Sequence, residues 1–420
     1  MKIAFSTLGC KLNFAESSAI GKALLAAGHT RVEKGDDADV VVLNTCSVTD
    51  AADRKGRQAI RSLKRRHPKA MLIVTGCYAQ LKGADIAAMP EVDYVFGANE
   101  KDKVIHLLTA PETLSESPVP TALAPQVYLP FFPACSWDDR TRCFLKVQDG
   151  CNYFCTYCTI PFARGRSRNA PIADIVQQAQ QALAEGAKEI VLTGVNIGDF
   201  GRTTQERFID LLRALDNLPA EGYYRIRISS CEPNLLTDEI IDFVAQSEHF
   251  APHFHIPLQS GNNEMLKIMH RHYDRELFAE RVAHIRQVMP HAFIGVDCMV
   301  GVRGETAERW EDYVAFVESL PVSQLHVFTY SERANTRMLD MDLYVVPKQE
   351  RERRSKILHA ISARKTAAFY AAHLGAQGTV LWEAKKEGGC MAGFTENYIR
   401  LHQPYDKSKV NTFEPVTVKF

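Results

Sequence analysis

The strongest constraint on the fold is a repeated alternation of short apolar runs with helical stretches, each run ending in a polar or cysteine-bearing turn. In residues 2 to about 108, the apolar runs 3–5, 40–43 and 72–74 predict strands separated by helices, the pattern of a doubly wound α/β domain. One cysteine follows each strand: Cys10 in Thr7-Leu8-Gly9-Cys10, Cys46 in Asn44-Thr45-Cys46 and Cys77 in Thr75-Gly76-Cys77. In a parallel sheet these positions share one carboxyl edge, where open α/β sheets bind ligands. Three thiols are therefore expected to converge. The first helix is expected to begin at Asn13-Phe14-Ala15-Glu16, with Asn13 as cap and Glu16 as its acidic partner, and to carry Ala19, Ile20, Ala23, Leu24 and Ala27 on one face.

Residues 110–142 contain Pro111, Pro118, Pro120, Pro125, Pro130 and Pro133 and are expected to wrap or space rather than fold alone. Beyond them, strand-like runs recur at 144–148, 190–193, 225–229, 254–258, 293–299 and 324–329 with helices between. Six such units are too few to close an eight-stranded barrel. An open, partial (β/α)6 barrel is the economical expectation, with its active site on the carboxyl rim of the strands. A basic helical stretch at 351–365 leads to a tail whose runs 379–382, 398–401 and 416–418 predict a small β-barrel of the oligonucleotide-binding kind.

The chain has 420 residues, 46% hydrophobic and 24% charged, which excludes a disordered or fibrous protein. Lys+Arg and Asp+Glu each total 50, so no global charge draws the chain to a polyanion, and any such partner must meet local patches. No apolar leader opens the sequence and no run approaches the roughly 20 apolar residues that span a bilayer. A cytoplasmic location away from membranes is expected. In a reducing compartment the eleven cysteines are expected to serve metal binding, catalysis or packing rather than disulfides. Packing is the expectation for Cys135, Cys143, Cys231, Cys298 and Cys390.

The sharpest motif is Cys151-Asn152-Tyr153-Phe154-Cys155-Thr156-Tyr157-Cys158, a C-x₃-C-x₂-C run directly after the first barrel strand. Three thiolates on one loop can hold three irons of a [4Fe–4S] cube and leave the fourth open to a ligand; structural zinc would want a fourth closing ligand. Here the chain resembles the radical S-adenosylmethionine superfamily, in which the open iron is chelated by that cofactor, and Tyr157 before the third cysteine matches the family pattern. The resemblance implies one-electron reduction of a sulfonium and attack of the resulting radical on a C–H bond.

With the three N-terminal cysteine motifs added, the chain resembles the radical methylthiotransferases over nearly its whole length. That resemblance implies a second [4Fe–4S] cluster on Cys10, Cys46 and Cys77, holding sulfur for insertion. It implies an N-terminal methylthiotransferase domain at 1–110, a linker at 111–140, a radical S-adenosylmethionine domain at 141–370 and an RNA-binding, TRAM-like β-barrel at 373–420. Thr193-Gly194-Val195-Asn196 stands where many radical enzymes carry Gly-Gly-Glu for the cofactor's amino group, without the acidic residue. Ser229, Glu232, Gln259 and Arg271 are candidates for contacts to the cofactor, alongside Tyr157, Thr193, Gly194 and Asn196. Asp297 is a candidate site carboxylate.

Basic clusters that could neutralise phosphates are Arg54, Lys55, Arg57, Arg61, Lys64, Arg65 and Arg66; then Arg164, Arg166 and Arg168; then Arg351, Arg353, Arg354 and Lys356, although charged helix faces are often only solvated. Tyr398 and Phe394 are candidates to stack unpaired bases, with core packing the alternative. The segments Ala52-Asp53-Arg54-Lys55, His270-Arg271-His272-Tyr273 and His326 to Arg333 resemble most the branch that modifies N6-threonylcarbamoyladenosine at position 37 of tRNA. Val302-Arg303-Gly304-Glu305-Thr306 and Ala334-Asn335-Thr336 depart from that branch's Phe-Pro-Gly-Glu-Thr and Lys-Gly-Thr. The resemblance implies 2-methylthio product, a tRNA anticodon stem-loop as partner, a flavodoxin- or ferredoxin-like electron donor and a monomer. Alternatives are another tRNA adenosine (N6-isopentenyladenosine), a ribosomal-protein aspartate, or a non-catalytic RNA-binding iron–sulfur module.

Overall fold

The computed structural model describes residues 1–33, 35–113, 119–124, 127–136 and 141–419. The expected linker prolines Pro118 and Pro125 lie outside the described residues. The first unit runs β1 (Lys2–Thr7), α1 (Lys11–Ala26), β2 (Thr30–Val32), β3 (Val40–Thr45), α2 (Asp50–Arg66), β4 (Met71–Gly76), α3 (Cys77–Leu81), α4 (Gly83–Ala87), β5 (Tyr94–Val95) and α5 (Lys101–Thr109). Its five strands are all parallel in the order β2-β1-β3-β4-β5. β3 is buried along its entire length, which is why Val40 to Leu43 is continuously apolar rather than alternating.

The expected cap at Asn13 is incorrect. α1 starts at Lys11 after an extended Cys10 whose side chain accepts no cap hydrogen bond. Asn13 lies inside the helix, where its amide donates to Leu8 O at 2.9 Å and Thr45 O at 3.0 Å. Glu16 is fully buried rather than a first-turn acid. Sequence periodicity cannot reveal this, because α1 is packed on both sides: it meets the first sheet and also Ala134, Phe144 and Val191 of the second unit.

The second unit begins with β6 (Cys135–Ser136), antiparallel to β7 (Arg142–Lys146). The chain continues through α6 (Ile160–Arg164), α7 (Ile172–Ala184), β8 (Glu189–Thr193), α8 (Phe208–Asp216), β9 (Arg225–Ile228), α9 (Asp238–Gln246), β10 (His253–Gln259), α10 (Asn263–Ile268), α11 (Arg275–Val288), β11 (Phe293–Val300), α12 (Ala307–Ser319), β12 (Gln324–Thr329) and α13 (Lys348–Ala372). β7-β8-β9 and β10-β11-β12 are each parallel, and bridges Ile226↔Phe250 and Ser230↔His255 join the two sets into one arc. This is the six-stranded open barrel expected from the sequence. Cys135 and Cys143, expected as packing residues, instead pair as a disulfide with Cα atoms 6.5 Å apart, because the unforeseen β6–β7 pairing brings them within bridging reach.

The tail forms β13 (Gln377–Glu387), β14 (Cys390–Phe394), β15 (Arg400–Pro404) and β16 (Phe413–Thr417), an antiparallel sheet of order β15-β14-β13-β16. It is a curled four-stranded sheet, consistent with half of the small barrel expected from the sequence. Val380, Trp382, Met391, Ile399 and Leu401 pack with Phe293 and Phe369. The sheet thus closes the end of the barrel where the strands begin. Arg225 and Arg227, buried and sharing Glu189, donate to the carbonyls of Thr379, Phe394, Thr395 and Glu396.

Candidate two-cluster active site

Cys10, Cys46 and Cys77 follow three adjacent strands, since β3 lies between β1 and β4. A Cβ on Gly9 would stand 2.7 Å from Cys46 Cβ, and Gly9 has φ +113°, so only glycine lets the Cys10 loop cross so near Cys46. Cys10 Sγ donates to Asn13 Oδ1 at 3.8 Å. Burial, then the proximity of Cys77, pushes the Cys46 thiol up to about 11; Cys77 is likewise raised by burial, with Cys10 adding to it. Two buried thiols that resist ionising, crowded together with Cys10, are a poor arrangement for free cysteines and a good one for a group that takes up thiolate charge. Arg164 and Lys101 oppose the rise at Cys77.

That opposition comes from a buried charge network. Glu16 meets Lys101 and Lys146 at 2.9 Å and Arg164 at 3.0 Å, while Asp149 meets Lys146 at 2.7 Å and Arg164 and Arg168 at 3.0 Å. Four cations against two carboxylates leave a positive surplus beside the N-terminal thiols. Arg164 and Arg168 are therefore not phosphate contacts, as their sequence cluster suggested, because burial withdraws both from solvent. Arg166 covers the Phe154 ring at 4.6 Å.

The Cys151–Cys158 loop is clamped from two directions. Gln148 donates to Asp149 O, Gly150 O and Ser167 Oγ, and accepts from the N–H groups of Val195 and Asn196 at 2.9 Å. It thereby binds the cysteine loop to the Thr193–Asn196 turn. Gly194 permits this, since a Cβ there would lie 3.0 Å from Gln148 Oε1. From the other side, Arg271 donates to Cys155 Sγ at 3.0 Å and to Tyr157 Oη at 3.4 Å, and pairs with Glu232. Burial raises all three thiols, Cys158 to about 12, with neighbouring cysteines adding to the rise at Cys151 and Cys158. Among the described residues, no three Cys, His, Asp or Glu side chains close round a single metal ion; a four-iron cube needs its thiolates held wider.

The candidate cofactor contacts separate into distinct places. Thr193, Gly194 and Ser229 line a cavity of about 380 Å³ together with Cys10, Lys11 and His255. Glu232, Arg271 and Tyr157 form the group around Cys155 instead. Asn196 is buried with both amide atoms unpartnered, and Gln259, at φ +63° on a strand irregularity, has its Oε1 unpartnered, whereas buried polar groups are as a rule hydrogen-bonded. Asp297 Oδ1 accepts from His255 Nε2 at 2.7 Å.

Other basic clusters resolve similarly. Arg354 is buried against Glu305, Arg353 pairs with Glu350, and Arg351 serves backbone carbonyls. On α2, Arg57 holds Tyr78 and Lys64 holds Asp93, leaving Arg54, Lys55, Arg61 and Arg65 exposed. Tyr398 and Phe394 are packed rather than free to stack bases: Tyr398 touches the rings of His253, Phe293 and Phe394, with Arg227 over its face at 4.8 Å, and Arg142 lies over Phe394 at 4.9 Å. Sequence reading missed Lys11, Gln148, Glu16 and Arg333. Arg333, 7% exposed, joins Ser47, Asp50 and Asp53 beside the Cys46 loop; only its place in the segment before Ala334 pointed to it.

Residues 145–317 match the Radical SAM superfamily, and residues 2–97 match the family described as Uncharacterized protein family UPF0004. The radical S-adenosylmethionine methyltransferase TsrM from Kitasatospora setae, solved with cobalamin and a [4Fe-4S] cluster, has a similar fold, with TM-score 0.56 at 14% identity over 78% of this chain and 74% of that one. Fold and motif together define a radical S-adenosylmethionine enzyme. Threonylcarbamoyladenosine tRNA methylthiotransferase MtaB of Bacillus subtilis is 37% identical over 95% of this chain and 89% of its own length. The protein of that name from Aquifex aeolicus is 36% identical over 96% of each. The chain belongs to this family of tRNA methylthiotransferases.

Proposed function

We propose that this protein adds a methylthio group to C2 of N6-threonylcarbamoyladenosine at position 37 of tRNA. The observation that carries the reading is the cavity where Cys10, from the first sheet, faces Thr193, Gly194 and Ser229 of the barrel rim. Sulfur delivery and radical chemistry need to meet at one carbon, and this is where the two units do meet. Cys151, Cys155 and Cys158 would hold one [4Fe–4S] cluster, and Cys10, Cys46 and Cys77 the other. When bound, these clusters and S-adenosylmethionine supply one-electron cleavage of a sulfonium and a source of sulfur and methyl.

The chain's own residues position and insulate. Gln148 keeps the cysteine loop in register with the Thr193–Asn196 turn, and Arg271 places a positive charge on Cys155. The Glu16–Arg164 network sets a positive field by the other three thiols. No helix among the described residues is long and apolar enough to cross a membrane. The reading has a cytoplasmic monomer act on a tRNA anticodon stem-loop, served by a flavodoxin- or ferredoxin-like donor. On this reading the chain divides into 1–110, 111–140, 141–370 and 373–420.

Mass spectrometry of tRNA nucleosides from a deletion strain tests the reading: the 2-methylthio form of N6-threonylcarbamoyladenosine should vanish and return with the wild-type gene. Loss from a ribosomal protein, or from N6-isopentenyladenosine, would establish an alternative. Complementation with Cys10→Ala should yield no methylthio product, while the purified variant still forms 5′-deoxyadenosine and carries about four irons rather than eight.

A further inference from the structure

The cavity between the Cys10 loop and the barrel rim has one basic side chain of the lysine or arginine kind in its wall, Lys11. Its other polar walls are cysteine, serine, threonine and His255, the last already joined to Asp297. Lys11 makes no ion pair among the described residues. Glu189, a carboxylate that acts on Lys11, is taken up by Arg225 and Arg227, and Arg142, which also acts on Lys11, is paired with Glu383. The ammonium therefore stands in a recess where the neighbouring cations already have their anions and it has none. A partly buried lysine without a counter-ion is costly unless a ligand brings one.

We propose that Lys11 is the residue that recognises the substrate's modification, by pairing with a carboxylate carried on the base that enters this cavity. This deepens the reading above and rests on it: a threonylcarbamoyl group ends in a free amino-acid carboxylate, whereas an isopentenyl group offers only hydrocarbon. Placing the cation one residue from Cys10 would orient the base by its N6 substituent and turn C2 toward the N-terminal thiols. S-adenosylmethionine also bears a carboxylate. Its candidate contacts Thr193, Gly194 and Ser229 share this wall, but none of Cys151, Cys155 and Cys158 lines the cavity, so the base is the favoured occupant beside Lys11.

The test uses full-length, cluster-loaded protein and anticodon-type RNA hairpins whose loop adenosine carries either the threonylcarbamoyl acid or its uncharged carboxamide. Binding is read by fluorescence anisotropy for wild type, Lys11→Met and Lys11→Arg, with iron content and S-adenosylmethionine affinity measured alongside. Wild type should bind the acid hairpin about 10- to 100-fold more tightly than the amide, the scale of one charge-assisted hydrogen bond. Lys11→Met should lose that preference by binding the acid as weakly as the amide, and Lys11→Arg should keep part of it. The amide arm in wild type decides the matter even if a variant folds poorly. Equal binding of acid and amide by wild type overturns the proposal alone, as does a Lys11→Met defect in S-adenosylmethionine affinity with the acid preference intact. Failure of wild type to bind either hairpin would bring down the functional reading and this proposal with it.

Discussion

Glu16 in α1 accepts from the guanidinium of Arg164 in α6 at 3.0 Å, with both side chains at most 1% exposed. This ion pair ties the first sheet's leading helix to the segment just after the Cys151–Cys158 loop. Burial pushes the Glu16 carboxyl up, but Arg164, Lys101 and Lys146 outweigh it and hold it well below the usual glutamate range; Asp149 behaves alike, with Lys146 and Arg168 the main opponents of burial.

Arg164→Met should cost on the order of 3 kcal/mol, the low end for breaking a buried pair, because Lys101 and Lys146 still face Glu16. The pH dependence follows from the depressed carboxyls. Their stabilisation is complete above the unfolded-state values near about pH 4 and is lost as pH falls toward the folded-state values. Urea unfolding should give wild type nearly constant stability from neutral pH to about pH 5, a steep fall below about pH 4, and a shallower fall in the variant.

Much of this architecture is legible in the sequence because it depends on strand order. Three cysteines after three parallel strands must share an edge, and the six later runs must curve into an arc with its loops on one rim. The buried charges were not legible. Asn13-Phe14-Ala15-Glu16 has the spacing of a helix start, and Arg164-Gly165-Arg166-Ser167-Arg168 looks like a surface basic patch. Both become interior only when α1 is pressed between two sheets, a contact across about 130 residues of chain. Tyr398 is a similar case: its local sequence gives no sign that Arg227 and His253, on separate strands, enclose it.

Tyr398→Ala should therefore weaken docking of the tail rather than act first on RNA. Its ring fills the start of the barrel between His253, Phe293 and Phe394. Removing it should cost about 3 kcal/mol, as for other buried aromatic truncations. Limited proteolysis should show faster cleavage after α13, near residues 373–376, with the remainder of the chain resistant. Tyr398→Phe, which keeps the ring, should resist cleavage nearly as wild type does.

Glu305 gives the opposite pH signature. Burial raises its carboxyl to about 6 against the pull of Arg354 and the Gly301 N–H, and its Oε2 is buried without a partner. A raised acid is penalised as it ionises, so its cost appears as pH climbs from about 4 and is complete above the folded value. Glu305→Gln should gain about 2 kcal/mol relative to wild type between pH 4 and pH 8, the equivalent of that shift. Denaturant midpoints of the two proteins at both pH values provide the check.

Arg333 is the counterpart of Arg164 at the other edge of the open barrel. Arg164 secures the side of β7, while Arg333, four residues past the end of β12, donates to Ser47 Oγ at 2.8 Å and pairs with Asp53 at 2.7 Å and Asp50 at 2.6 Å. Ser47 follows Cys46 directly and donates to Asp53 at 2.6 Å, so this latch fixes the loop of one thiol against the last barrel strand. Arg333→Ala leaves Asp53 and Ser47 bonded to each other, so the global loss should be modest, about 2 kcal/mol. Its main effect should be on coupling, because a catalytic position displaced by even about 1 Å loses rate steeply. With both clusters loaded, 5′-deoxyadenosine formation at the Cys151–Cys158 side should persist while methylthio product falls about 10-fold or more, and hydrogen exchange should rise in residues 46–53. Equal loss of both products with unchanged exchange would mean that Arg333 serves radical generation itself and not the register between the two halves.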